Sequence, residues 1–511
     1  MLHPPGAPYA LDAEELAPDQ TVAQDPERPG PLGALGAAGW KATLAVFLGA
    51  LIVFSLFSGS RALKASRDNH FAYLAVTYDS MIAAALGDEA AQKRRADLVP
   101  FELERPPPHR NDWATYWEVH TRDGEVFEGI WAGKKRSGEL KLLGGEGVVR
   151  LDAAQIDRRA TRKRTFVSFP PGPAVVMMPF AAIWGYDVND VALTLFFAAL
   201  NVALLFVLLT RMSRGGRSGR SRSDNLWLTL LFGMGTCHLW LAVMGQVWFT
   251  ALIVGVTFTL LYMHFAIDAR HPFLAGCALA AAFATRTPLL FTAVFFGFFV
   301  LFPGGKLLTA DRLGWAARKI AWFAVPCLIV GFTLMWMNHV RFDSLTEFGH
   351  TYLAEGQLGR IKKHGLFDVA FLGKNLSALF TLTPSFVPEA PYLKISTHGM
   401  SIFLTTPAFA YLLRPAARES VADTFWHRAL WLTVAACALP GLFYQNTGYE
   451  QFGFRFSLDY TPYLMLLLAT GRHPITRWFK ATILWAVAVN AFGAVTFKRY
   501  RDFYVNRFFL D

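Results

Sequence analysis

Charge is scarce in this sequence of 511 residues: Asp, Glu, Lys and Arg together make up only 17%, against about 25% in soluble domains. The deficit is uneven. Stretches such as Asp190 to Leu209 and Trp227 to Val243 carry almost no charge, and there are too many of them for one soluble core to bury. Cysteine is nearly absent. Cys237, Cys277, Cys327 and Cys437 lie far apart inside apolar segments, which excludes a disulfide framework or a CxxC metal site and leaves small buried side chains. A cleavable signal peptide is not expected, because the first apolar run begins near Trp40 behind a polar, Pro-rich tail and reads as a signal anchor.

What is abundant is hydrophobic: 53% of the residues, with 45 Phe and 15 Trp, a composition suited to lipid-facing and interfacial surfaces. Residues 1–38 are predicted to be a disordered tail. Apolar runs predict about eleven transmembrane helices, near 41–57, 188–210, 226–243, 247–267, 272–285, 287–302, 319–340, 397–413, 429–444, 456–470 and 480–497. The net charge of +11 comes largely from short loops between these runs. The loop "RMSRGGRSGRSR" holds five Arg; Arg270, Lys306, Arg312, Arg318, Lys319, Arg414, Arg418, Arg428, Arg472, Arg477 and Lys480 fall on the same side, against Arg286 and Arg455 on the other. The asymmetry predicts a cytoplasmic N-terminus and an outer C-terminus, with the cations serving membrane lipids rather than nucleic acid. Residues 272 to 302 are about 46 Å as one helix, against a hydrocarbon core of about 30 Å. Two spans are preferred, since one would send every later basic loop outward.

Two large regions then lie outside, Ser58 to Asp187 and Arg341 to Thr397. Within the first, 112–157 alternates apolar and polar residues, with turn signals at Asp123-Gly124 and Gly144-Gly145. It predicts a small β-rich insert, an SH3-like barrel being the simplest form. The basic run Arg158 to Arg164 reads as a linker. "FPPGPAVVMMPFAAIWG", Phe169 to Gly185, reads as a Pro-framed helix lying along the membrane surface.

Asp68 follows the first span by about ten residues. A carboxylate there can take a proton from a hydroxyl at the membrane boundary; as a lone residue, Ser66 or Asp68 reads equally as a helix-start signal. His70, Tyr73 and Asp79 share the ordinary reading of juxtamembrane polar residues. Arg286 and Arg455 sit in outer turns where a phosphate can meet a guanidinium; pairing with Glu450 or Asp459 is the plainer alternative. Tyr449, Glu450 and Gln451 are placed to meet sugar hydroxyls. His350, His364 and His398 are scattered along the second outer loop, as exposed loop residues are, with no zinc spacing. His238, His264 and His339 lie near helix ends and read as structural.

The order of a first span, Ser66-Arg67-Asp68, a polar loop, the "PPG" helix, a second span and a basic loop resembles the GT-C glycosyltransferases. The bacterial relatives of protein O-mannosyltransferases and of the lipid A aminoarabinose transferase are the nearest likeness. "GCALAAAFATRTPLLF" resembles that family's helix pair joined by an Arg-Pro-like turn, and "GYEQFGFRFSLDYTPYLMLLLA" its late span after an aromatic-Arg motif. The likeness runs from about Trp40 to Phe497, within a transmembrane domain spanning 39–511. It implies an all-α polytopic membrane bundle in a bacterial inner membrane, with its site on the periplasmic face. It implies an inverting transfer from a polyprenyl-phosphate-linked sugar to a glycan, lipid or protein hydroxyl. Asp68 then matches the family's catalytic carboxylate; with such a donor, Arg286 and Arg455 are by their placement the candidate phosphate ligands, and His70, Tyr449 and Glu450 the candidate substrate contacts. Many members carry two adjacent acids where this chain has Asp68 followed by Asn69, so the metal role linked to paired acids does not carry over, and no cofactor is assigned. The 112–157 insert is outside the common pattern. A transporter or flippase, and a non-catalytic envelope assembly protein docking through the insert, are the competing readings; no internal repeat supports the first.

Overall fold

The computed structural model of the chain describes residues 36, 38–107, 113–134, 139–144, 147–152, 154–157, 161–349, 361, 363–414, 421–471 and 473–508. The predicted tail lies outside the described residues apart from Gly36 and Ala38, as do His350, Arg418, Arg472 and Gly145.

The fold is mostly helical, with two small sheets. Among the described residues, five helices are long and apolar enough to cross a membrane: Trp40–Leu63, Asp190–Arg214, Val247–Ala269, Ala310–Phe342 and Arg477–Thr496. Their α-helical parts are α1 (Trp40–Ser58), α4 (Asp190–Arg214), α5 (Val247–Ala266), α7 (Leu313–Phe342) and α10 (Arg477–Thr496). The helix α5 is apolar all round and mostly buried, as a central helix must be. By contrast α1 and α7 expose Leu48, Ile52, Leu56, Leu328, Ile329 and Phe332. A continuous apolar exterior of this kind fits lipid and not water.

Other apolar runs are shorter or broken, for local reasons. The run 226–243 divides into Arg222–Met234 and His238–Ala242, where the Gly235 N–H closes the first helix on Leu231 O. The run 397–413 is a four-residue helix followed, from Pro407, by a 3-10 turn. Arg455–Asp459 is likewise 3-10 before α9 (Thr461–Thr470) begins with Pro462. Proline fixes φ and has no N–H to donate to the preceding turn, so it starts helices rather than continuing them. The segment 272–302 is two helices. Here α6 (Pro272–Thr285) ends at Arg286, extended at φ −150° and ψ 114°, before a 3-10 turn with Pro288. The helix Ala293–Leu301 then runs back until Phe302 stacks on Phe425, 4.9 Å between centroids, near the start of α8 (Val421–Phe443).

Contacts between distant segments cluster at the two ends of α4. At one end Arg341 donates to Val167 O at 2.5 Å, Arg499 to Phe57 O at 2.9 Å, and Val247 N to Asp68 O at 3.1 Å. At the other, Arg211 donates to His264 O at 2.5 Å, Ser218 to Ala469 O at 2.9 Å, and Arg217 pairs with Asp268. His238 and His264, both buried, are structural in position: His238 packs 4.8 Å from the Phe232 ring, and His264 bonds Leu204 O at 3.2 Å.

The region 58–187, predicted to lie outside, folds as α2 (His70–Ala85) against α3 (Gly172–Trp184), plus a five-stranded antiparallel sheet. Its strands are β1 (Trp113–His120), β2 (Val126–Lys134), β3 (Glu139–Gly144), β4 (Gly147–Asp152) and β5 (Arg162–Val167), ordered β4-β3-β2-β1-β5. The β1–β2 turn bears Gly124 at φ 91°, as the Asp-Gly signal predicts. The fifth strand lies beyond the predicted insert, in the basic run read as a linker. It pairs with β1 in the register Trp113↔Val167, and Arg164 finds Glu118 and, at 3.6 Å, Glu128. Those cross-strand carboxylates neutralise its charge, which is why a basic run can lie in a sheet. A second sheet joins β6 (Ser385–Phe386), β7 (Leu393–Ser396) and β8 (Tyr504–Val505), so the segment around Tyr504 packs on the one around Leu393.

Gly172 fixes where α3 meets α6. A Cβ there would lie 2.5 Å from Thr285 Oγ1 and 2.8 Å from Ala284 O. The change Gly172→Ala is therefore expected to cost about 1–3 kcal/mol and to lower the thermal midpoint of the purified protein; an unchanged midpoint would mean that the two helices do not meet at this contact.

Candidate functional site

Asp68 lies in the turn between α1 and α2 and is buried, 7% exposed. Asn69, not Asp68, precedes the helix, and its amide donates across to Val188 O at 2.7 Å instead of capping the first turn. The turn is held by a buried carboxylate at the start of α4. Asp190 accepts from Ser66 N at 2.7 Å, from Ser66 Oγ at 2.5 Å and from Gln246 N at 3.3 Å. Three donors on one carboxylate meet the cost of burying it. They also join the Asp68 turn to the segment that begins α5, where Gln246 is left-handed at φ 71°. His70 is buried beside this junction, stacked on Phe169 at 6.2 Å and edge-on to Trp248 at 6.4 Å.

Trp248 and Phe249 carry the contact onward. Lys498 Nζ lies over their rings at 5.2 and 5.7 Å. It is 3.3 Å from the Glu450 carboxylate and 3.3 Å from Gln246 Oε1. The buried Arg455 guanidinium lies 5.6 Å from the Phe249 ring and 5.4 Å from Phe456. On that same Phe456, at 5.5 Å, is Arg286, whose Nε and Nη2 reach the Asp459 carboxylate at 2.7 and 2.8 Å. Cations over aromatic faces keep their charge with little water.

The predicted residues Asp68, His70, Glu450 and Arg455 thus meet around Trp248, Phe249 and Lys498. Arg286 reaches the group through Phe456, in the pair with Asp459 that was its plainer alternative. Tyr449 is exposed at the rim, 5.3 Å from the His398 ring; burial and the nearby Glu450 charge raise its phenol pKa. Gln451 is a strut, donating to His398 O at 2.7 Å and Thr447 O at 2.8 Å and accepting from Arg455 N at 2.8 Å. His398 is not the exposed loop residue its position predicts, since its ring meets Phe508 at 4.5 Å and Nδ1 lies 3.0 Å from Thr447 Oγ1. His364 lies elsewhere, 3.6 Å from Asp368. No group of three or more His, Cys, Asp or Glu suited to a metal ion occurs among the described residues.

Lys498, Trp248, Gln246 and Asp190 were not singled out from sequence. The run "FKRY" just after the last apolar segment was a usable signal for Lys498, because a cation at that place sits beside the other outer turns. Asp190 gave none, as it reads as a first-turn helix residue. The site therefore unites the carboxylates of Asp68, Asp190, Glu450 and Asp459, the cations Lys498, Arg455 and Arg286, and several aromatic faces at one end of an apolar bundle. Comparison with protein families, with curated proteins and with solved structures returns no match.

Proposed function

We propose that this chain is an inverting membrane glycosyltransferase of the GT-C kind, crossing the bacterial inner membrane eleven times with its N-terminus cytoplasmic and its C-terminus periplasmic. It moves a sugar from a polyprenyl-phosphate donor to an acceptor hydroxyl on a glycan, lipid or protein. The observation that carries the reading is the convergence, at one bundle end, of the Asp68 turn with Lys498 and Arg455, from segments far apart in sequence.

Asp68 takes the proton as the acceptor oxygen attacks the anomeric carbon. The new C–O bond forms as the bond from that carbon to the phosphate oxygen breaks, and polyprenyl phosphate leaves with the electron pair. A departing phosphate needs positive charge more than a proton; Lys498 and Arg455 supply it, while Arg286, held by Asp459, fixes Phe456 between the guanidinium groups. His70, Trp248, Tyr449 and Glu450 face the sugars. The deciding experiment incubates the purified protein in nanodiscs with a panel of polyprenyl-phosphate sugars, alongside a glycan and lipid comparison of cells with and without the gene. Transfer in neither discards the proposal. Lys498→Gln is expected to lower kcat/KM by about 10- to 100-fold, the worth of a charged hydrogen bond. An unaltered kcat/KM removes Lys498 from the site.

Transport of an envelope glycolipid draws support from the interrupted helices near Gly235, Pro288 and Pro407. Movement of donor lipid without sugar transfer in the same nanodiscs would favour it. Envelope assembly without catalysis draws on the β1–β5 sheet. Sidedness has its own test. The Ser218 side chain is buried against Ala469 O, so exposed Gly219, with nothing within 4 Å of its Cβ position, is the better probe. An impermeant thiol reagent on intact cells should label Arg122→Cys and spare Gly219→Cys; the reverse overturns the orientation.

A further inference from the structure

A cavity of about 290 Å³ opens at the bundle end opposite Asp68. Four basic or imidazole side chains line it, Arg220, Arg414, His427 and His473, with no carboxylate among the described lining residues. The rest of its wall is largely apolar, and two of those residues, Leu413 and Trp431, are themselves exposed.

Arg220 is a fixed cation. Its Nε donates to Ala469 O at 3.2 Å, Nη1 to His473 O at 2.5 Å and Nη2 to Leu468 O at 2.7 Å, closing the C-terminal end of α9. These bonds use three of the five guanidinium N–H groups and leave two, with no ion pair to a carboxylate among the described residues. Arg414 lies at the exposed side with its guanidinium 5.4 Å from the Tyr411 ring. His427 is buried at the start of α8. The cations thus come from separate segments, at the end where the basic loops gather.

We propose that this cavity binds the phosphate of an anionic lipid headgroup. A guanidinium pair with remaining N–H groups suits phosphate oxygens. An exposed apolar rim at Leu413 and Trp431 suits the acyl chain attached to that phosphate, and basic pockets between helix ends are a recurring form of headgroup site. The inference rests on the membrane reading of the chain and not on sugar transfer.

The test uses the full chain, delipidated in detergent, with phosphatidylglycerol, phosphatidylcholine or inorganic phosphate as probe and the thermal midpoint as readout. Saturable stabilisation by phosphatidylglycerol is expected, well beyond that by phosphatidylcholine. Arg414→Glu should weaken it by about tenfold or more, while Arg312→Glu, an exposed charge reversal in another basic loop, should leave it intact. Equal loss in both variants, or no loss in either, overturns the proposal. Arg414-dependent stabilisation by inorganic phosphate alone keeps the phosphate chemistry and overturns the lipid as its source. Asp68→Asn should bind phosphatidylglycerol as the parent does, so failure here and failure of the transferase reading are separable.

Discussion

Asp68→Asn is expected to lower sugar transfer by about 100- to 10,000-fold, the usual worth of a positioned general base, with the fold unchanged. The substitution keeps the shape of the side chain but removes its charge and its ability to accept a proton at pH 7. The turn is also held by contacts that do not use the Asp68 side chain. Asp68 reaches Val247 N through its backbone carbonyl, Ser66 is held by Asp190, and Asn69 by Val188 O. Donor affinity should therefore persist, because Lys498 and Arg455 stay in place, and the loss should fall on kcat with KM little changed. The measurement is transfer kinetics in nanodiscs beside the thermal midpoint. Full activity removes the base assignment; lost activity with a collapsed midpoint makes Asp68 structural and removes it equally. A sound protein with transfer gone is the outcome that places the proton there.

Much of this arrangement was legible in sequence because it depends on local pattern. Apolar runs and basic loops sorted the chain into two ends, and among the described residues Arg341, Arg499 and Val247 make contacts at one while Arg211, Ser218 and Arg217 do so at the other. The elbow at Arg286 follows from Pro288, and the β1–β2 turn from Asp123-Gly124. Less was legible wherever the cause is a distant partner. The β5 strand looked like a linker, because Arg164 is a strand residue only once Glu118 and Glu128 face it. Asp190 entered the reading only as the edge of a charge-poor run; it does stand in the first turn of α4, and its carboxylate accepts three bonds from Ser66 and Gln246. Apolar length alone predicts continuous spans and cannot show that Gly235 or Pro407 interrupts them. For Arg286 the residues left two partners open, a ligand phosphate or an acid within the chain, and only the folded geometry brings Asp459 to its side.

That pair has the largest expected effect on stability. The Asp459 side chain is 4% exposed and that of Arg286 16%, and two hydrogen bonds join them in a fork. Arg286→Met strands a buried carboxylate with its partner gone, a loss of about 3–5 kcal/mol. The reason is asymmetry: a buried charge that loses its partner bears the whole desolvation cost, while removal of both partners leaves none. Arg286→Met together with Asp459→Leu should therefore recover most of the lost midpoint, though each single change lowers it. The double variant also separates stability from chemistry. If Arg286 acts only by holding Phe456 against Arg455, the double variant regains fold and much of its transfer, with donor KM raised modestly. If the Arg286 guanidinium itself binds the donor phosphate, the fold returns and transfer does not. A double variant no more stable than Arg286→Met alone would show that the pair is not closed in the folded protein, and Arg286 would then have a guanidinium ready for phosphate.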